Sequence, residues 1–177
     1  GFNILIIGQD GRLAYEALLF TLSLAKVAPE RCKHLYIAEP QNGPLWKGNP
    51  RMRDKPLRKL IEATGATIIP FENKQFGQDY PNGNKIEALR ALPENEPFVF
   101  FDSDTLILDD PFSAPFDFNR PSASLRREGT WPVLELYGPG YHKIWGALYA
   151  MFGMDVNDAL DPNQPEEFWL RYPYYNA

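Results

Sequence analysis

The sequence predicts an α/β fold in which a mainly parallel central sheet is flanked by helices, a Rossmann-type sandwich. Three observations carry this expectation. Short apolar runs rich in β-branched and aromatic residues alternate with segments of helical spacing, in the order strand, helix, strand, helix, strand, helix, strand. The strand candidates are almost continuously apolar, as in sheets covered on both faces. The helical segments end at proline or glycine.

The first strand is Phe2-Asn3-Ile4-Leu5-Ile6-Ile7, closed by Gly8. A helix is expected over residues 13–27, where Ala14, Ala17, Leu18, Thr21 and Ala25 form a stripe and Pro29 ends it. A second strand is expected over 33–38, followed by a loop over 39–56 rich in proline, glycine and asparagine. Leu57, Leu60 and Ile61 share one face of a helix over 57–64, with Gly65 as its stop. A third strand over 66–71 and a polar stretch over 72–82 lead to a helix over 84–92, ended by Pro93. Phe98-Val99-Phe100-Phe101 has no polar side chain and is expected to run through the sheet centre. After Asp110 the character changes. A strand over 122–126, the loop Gly138-Pro139-Gly140, a helix over 141–152 and an acidic, then aromatic, tail follow. Residues 1–110 are read as the ligand-binding half and 111–177 as an extension of the same domain.

The 177 residues are 44% hydrophobic, 14% aromatic and 23% charged, which excludes a disordered or collagen-like chain. Lys and Arg number 18 against 23 Asp and Glu, a net charge of −5. No basic tract exceeds two residues such as Arg126-Arg127, so a broad nucleic-acid surface is not expected. The single cysteine, Cys32, excludes an internal disulfide and a four-cysteine zinc site. No apolar run approaches a membrane span, and the chain opens on a strand-like run rather than a basic leader. These features describe an acidic, soluble, cytoplasmic domain. No Walker A loop, metalloprotease helix motif or Gly-x-Ser-x-Gly elbow is present.

The most informative segment is Asp102-Ser103-Asp104, directly after the most apolar strand candidate. Ligands of such sheets bind beyond the carboxyl ends of strands. Were strand geometry to persist, both carboxylates would point to one side, where their mutual repulsion calls for a cation. Mg²⁺ and Mn²⁺ favour carboxylate oxygen. The alternative is a solvated strand-end turn. Gly8-Gln9-Asp10-Gly11-Arg12 joins the first strand to the first helix. It is a polar-ligand turn, with helix N–H groups facing an anion, a tight turn with Asp10 as helix N-cap, or both together. Lys85, in the first turn of its helix, is poorly placed for the helix dipole. It is either a phosphate contact or an ordinary solvated lysine.

The run Asn84-Lys85-Ile86-Glu87-Ala88-Leu89-Arg90-Ala91-Leu92, with Phe98-Val99-Phe100-Phe101-Asp102-Ser103-Asp104-Thr105-Leu106-Ile107-Leu108, resembles the core of GT-A-fold, nucleotide-sugar-dependent glycosyltransferases, closest to the glycogenin-like and bacterial galactosyltransferase-like group. Asn176-Ala177 is similar to that group's Asn-Ala-Gly element beside the sugar pocket. The resemblance implies a GT-A-like fold and transfer of a hexose from a nucleotide-sugar donor, UDP-sugar favoured, to a carbohydrate or other hydroxyl acceptor. It implies Mn²⁺ or Mg²⁺ on Asp102 and Asp104. It also implies a donor site drawn from Gly8, Gln9, Asp10, Arg12, Lys85, Asp102, Ser103, Asn176 and Ala177. The group continues beyond its Asn-Ala-Gly to a metal-binding histidine, which neither His34 nor His142 matches by position. The chain is therefore expected either to be a piece of a longer enzyme or to complete the metal site otherwise. Two alternatives stand beside this reading. One is a haloacid-dehalogenase-like phosphotransferase, against which Thr105 follows Asp104 without a spacer. The other is a non-catalytic α/β module that binds a ligand or a partner.

Overall fold

A computed structural model of the chain describes residues 1–119, 126–130, 136–159 and 173–176. It divides into two compact units, Gly1–Phe116 and Asp117–Ala177. The first unit holds β1 (Asn3–Ile7), α1 (Arg12–Val27), β2 (Leu35–Pro40), α2 (Lys55–Ala63), β3 (Thr67–Phe71), α3 (Asn84–Glu87) and β4 (Phe98–Phe100). Its four strands form one sheet in the order β3-β2-β1-β4, every pair parallel.

Why β1 is apolar throughout follows from its neighbours. Ile4 pairs with Leu35 on one side and Val99 on the other, and all five residues of β1 are buried. Ile4 and Ile6 face a cluster with Ala17, Phe20 and Leu24 of α1 and Leu57 and Ile61 of α2. Leu5 and Ile7 face the opposite cluster with Ala38, Phe71 and Ala88, the last in the single-turn 3₁₀ segment Ala88–Ala91 after α3. Helical layers therefore cover both faces, and alternation of apolar and polar residues would leave polar groups buried on one of them.

β4 departs from expectation. It lies at the edge of the sheet among the described residues, paired only with β1, and its Phe98 is 39% exposed. Val99 and Phe101 pack against one cluster and Phe100 against the other. Uniform apolarity reports two covered faces; it does not report how many strands lie alongside.

Local chemistry sets the helix ends. Asp54 caps α2, its carboxylate accepting from the Leu57 N–H at 2.9 Å, with Pro56 in the first turn. Gly65, with φ of 93°, closes that helix by donating its N–H to the Glu62 carbonyl at 3.0 Å. In α1, Ala14, Ala17 and Thr21 are buried as expected. Leu18 and Ala25 are half-buried, and the buried face turns instead toward Phe20 and Leu24. The helix expected over 84–92 is a four-residue α-turn continued as 3₁₀ structure to Ala91. Near the end of β2, the carboxylate of Glu39, 2% exposed, accepts from the Met52 N–H at 3.0 Å and from the guanidinium groups of Arg51 and Arg58. These donors satisfy a charge that burial alone would penalise, and they tie the loop before α2 to the sheet.

In the second unit β5 (Arg126–Thr130) pairs antiparallel with β6 (Pro173–Asn176), Arg126 opposite Asn176, and α4 spans Tyr141–Ala150. The strand expected over 122–126 lies outside the described residues except for Arg126, which opens β5. Ala177 also lies outside them. Among the described residues no helix is long and apolar enough to cross a membrane.

Candidate functional site

Because β1 and β4 are parallel neighbours, both deliver their following loops to the same edge of the sheet. The chain leaves β1 through α1 toward β2 and β3, whereas β4 lies on β1's other side. The strand order therefore reverses between β1 and β4, and a crevice opens outside their carboxyl ends. An open pocket of about 310 Å³ occupies this place. Ile7 ends β1 at its floor, and Arg12, Leu13 and Glu16 come from the first turns of α1. Pro81, Asn82, Asn84 and Lys85 supply a second wall, and Phe100, Asp102, Ser103 and Asp104 a third.

The Asp-x-Asp segment does not continue the strand. The Phe101 N–H still donates to the Leu5 carbonyl at 3.0 Å, but the Thr105 N–H closes a turn onto the Asp102 carbonyl at 3.0 Å. Beyond the turn, the Ile107 N–H donates to Ser23 Oγ of α1 at 3.0 Å, and Ile107 is buried while Leu106 and Leu108 are exposed. The persistence of strand geometry is thus corrected to an anchored turn. Its two carboxylates nonetheless line one pocket, and Ser103 between them is buried.

Lys85 meets this turn directly. Its Nζ lies 2.5 Å from Asp102 Oδ1 and 5.8 Å from the centroid of the Phe100 ring. The two side chains remain 36% and 43% exposed, so the pair contributes at most about 1 kcal/mol and its partners are free to exchange. Arg12 pairs with Glu16 one helical turn on. The pocket thus presents two cations and three carboxylates.

The loop after β1 does not use Asp10 as the helix N-cap. The N-cap of α1 is Gly11, at φ of 85°, with no side-chain cap. Asp10 instead accepts from Arg53, from Nε at 2.8 Å and from the backbone N–H at 3.2 Å. The Arg53 guanidinium holds the Asp10 carboxyl below the usual range. Gly8 packs tightly in the β1–β2 layer: a Cβ there would sit 2.5 Å from Ile37 Cγ2. The pocket wall does not include Gly8, Gln9 or Asp10.

Gln9 reaches the site through a polar network that was not legible beforehand. Its Oε1 accepts from Asn84 Nδ2 at 3.1 Å, and Asn84 Oδ1 accepts from Asn73 Nδ2 at 2.8 Å. Asn73 Nδ2 also donates to Glu87 at 2.7 Å, while its Oδ1 accepts from Trp46 Nε1 at 2.8 Å. Glu87 further accepts from the N–H groups of Lys74, Gln75 and Phe76. Burial pushes the Glu87 carboxyl up, but these hydrogen bonds outweigh burial and hold it below the ordinary glutamate value. The network joins four segments and fixes the short helix that carries Lys85. Glu16, Asn82 and Asn84 are pocket residues that motif reading did not find. The i,i+4 spacing of Arg12 and Glu16 was a signal for the first.

Among the described residues no three His, Cys, Asp or Glu side chains group closely enough to enclose a metal ion. Asp102 and Asp104 are hard oxygen donors on one wall and fit a share of a Mg²⁺ or Mn²⁺ shell, with phosphate and water oxygens as the remaining ligands. His34 directly precedes β2, where burial pushes its imidazole down, and His142 is the second residue of α4.

A four-stranded parallel sheet covered by helices, with its pocket at the reversal of strand order, defines a Rossmann-like α/β protein. The family model described as the Rhodobacterales glycosyltransferase domain matches residues 4–177, and the chain belongs to that family. No curated protein and no solved structure matches the chain.

Proposed function

We propose that the chain transfers a hexose from a nucleotide-sugar donor, a UDP-sugar in the favoured case, to a hydroxyl acceptor in a GT-A-like, divalent-cation-dependent site. The observation that carries this reading is the meeting of Lys85 with the Asp102–Asp104 turn in one open pocket beyond the carboxyl ends of parallel strands. Asp102 and Asp104 would hold Mn²⁺ or Mg²⁺, which when bound neutralises charge developing on the departing diphosphate. Lys85 supplies a compact positive charge to the same diphosphate, and Arg12 offers a second from α1. The Gln9–Asn84 link holds the loop after β1 against the helix of Lys85, so the two sides of the pocket keep a common geometry. Membership of a glycosyltransferase family leaves the phosphotransferase alternative without support.

The test is calorimetry of Mn²⁺ with and without UDP, on the wild type and on Asp104→Ala. In the wild type, UDP should tighten Mn²⁺ binding roughly five- to hundredfold, the usual range of coupling between two sites. Asp104→Ala should abolish the coupling while thermal unfolding stays nearly unchanged, because Asp104 is exposed. Equal Mn²⁺ affinity in all four titrations would make the motif an ordinary turn and remove the donor reading.

A further inference from the structure

The ion pair of Lys85 with Asp102 sets the phosphate-binding cation of the proposed donor site on one of the carboxylates proposed for the metal. Three features define what this pair can do. The backbone beneath Lys85 is fixed, because its neighbours Asn84 and Glu87 are buried and bonded to Gln9, Asn73 and the 74–76 amides. The Lys85 side chain itself is 36% exposed, so solvent and a ligand can reach its ammonium group. No carboxylate other than Asp102 is recorded in an ion pair with Lys85 among the described residues.

We infer that Lys85 is a charge placeholder: in the donor-free chain it occupies Asp102 and suppresses divalent-cation binding, and a nucleoside diphosphate draws it away and opens the metal position. The inference rests on the donor-site reading above and adds its order of assembly, diphosphate before or together with metal. A divalent cation approaching Asp102 in the free chain meets the lysine charge and must displace it. A diphosphate removes that cost by giving the ammonium group a stronger anion. An empty donor site would therefore hold little metal, and the full cation shell would form only where there is a diphosphate to complete it.

The experiment titrates Mn²⁺ into the wild type, Lys85→Met and Lys85→Arg by calorimetry, each with and without UDP. Methionine keeps an unbranched stem over Phe100 without the charge, and arginine keeps the charge. Without UDP, Lys85→Met should bind Mn²⁺ about two- to fivefold more tightly than the wild type at low ionic strength, as removal of a half-exposed ion pair allows. The difference should shrink in about 0.5 M salt, which screens half-exposed charges. Lys85→Arg should resemble the wild type. The tightening produced by UDP should be smaller in Lys85→Met by a similar factor. If UDP tightens Mn²⁺ in the wild type but Lys85→Met without UDP binds Mn²⁺ no better, the placeholder role is overturned and the donor reading stands. If UDP has no effect on Mn²⁺ in the wild type, the donor reading itself fails, and the inference with it.

Discussion

Glu87 carries more of the site than its place in the sequence announces. It is a 7% exposed carboxylate that accepts from three consecutive backbone N–H groups and from Asn73. Its pKa is lower in the folded chain than the ordinary 4.5, so the stability it contributes is fully present above about pH 4.5 and is lost as pH falls through the folded value. Glu87→Gln places an amide NH₂ among donors and should destabilise the chain by about 1–3 kcal/mol at neutral pH. Urea unfolding at pH 7 and at a series of pH values below about 4.5 checks the sign: the gap between the two proteins should narrow as pH falls through the folded value and the wild-type carboxylate takes up its proton. Nothing near Glu87 in the sequence signals this role. Its partners at 73–76 are 11 to 14 residues away and are brought together only by the turns between β3 and α3.

At the scale of elements, capping and packing act independently. Asp54 satisfies an orphan N–H at the start of α2 and does not line the pocket. Asp54→Ala should cost about 0.5–2 kcal/mol, and Asp54→Ser should restore most of it. Chemical denaturation reads both, and Mn²⁺ binding in the presence of UDP should not change in either variant. The Gly65 stop of α2 is legible in the sequence, because end chemistry is local, whereas the helix starts at Lys55 behind its Asp54 cap, two residues ahead of the expected Leu57. The end of α3 is less legible. Apolar spacing over 84–92 predicts one helix, whereas the chain tightens to 3₁₀ structure after Glu87, whose side chain is turned to the 73–76 loop.

Across the first unit, protection should follow the sheet order. β1 has a strand on each side and helices on both faces, whereas β4 pairs on one side only among the described residues. Native-state hydrogen exchange should therefore find the amides of Ile4–Ile7 among the slowest in the chain and those of β4 faster, since edge strands open with less loss of contact. Comparable protection in the two strands would show that β4 gains a further neighbour in solution. The same topology places the pocket. Its walls come from residues separated by up to about ninety positions, and only the parallel pairing of β1 with β4 makes them adjacent.

The sequence by itself determined the α/β class, the strand and helix order of the first unit and the segments from which a site could be drawn. Those properties depend on periodicity, end chemistry and the demand that doubly covered strands be apolar, all of which are written locally. Tertiary structure alone decided that β4 lies at the edge among the described residues, that Asp10 bonds Arg53 instead of capping α1, and that Lys85 rests on Asp102. It also decided that Gln9 reaches the site through Asn84. Each of these is a choice between partners distant in the chain. Such choices are settled by strand order and by competition among charges, to which local pattern is blind.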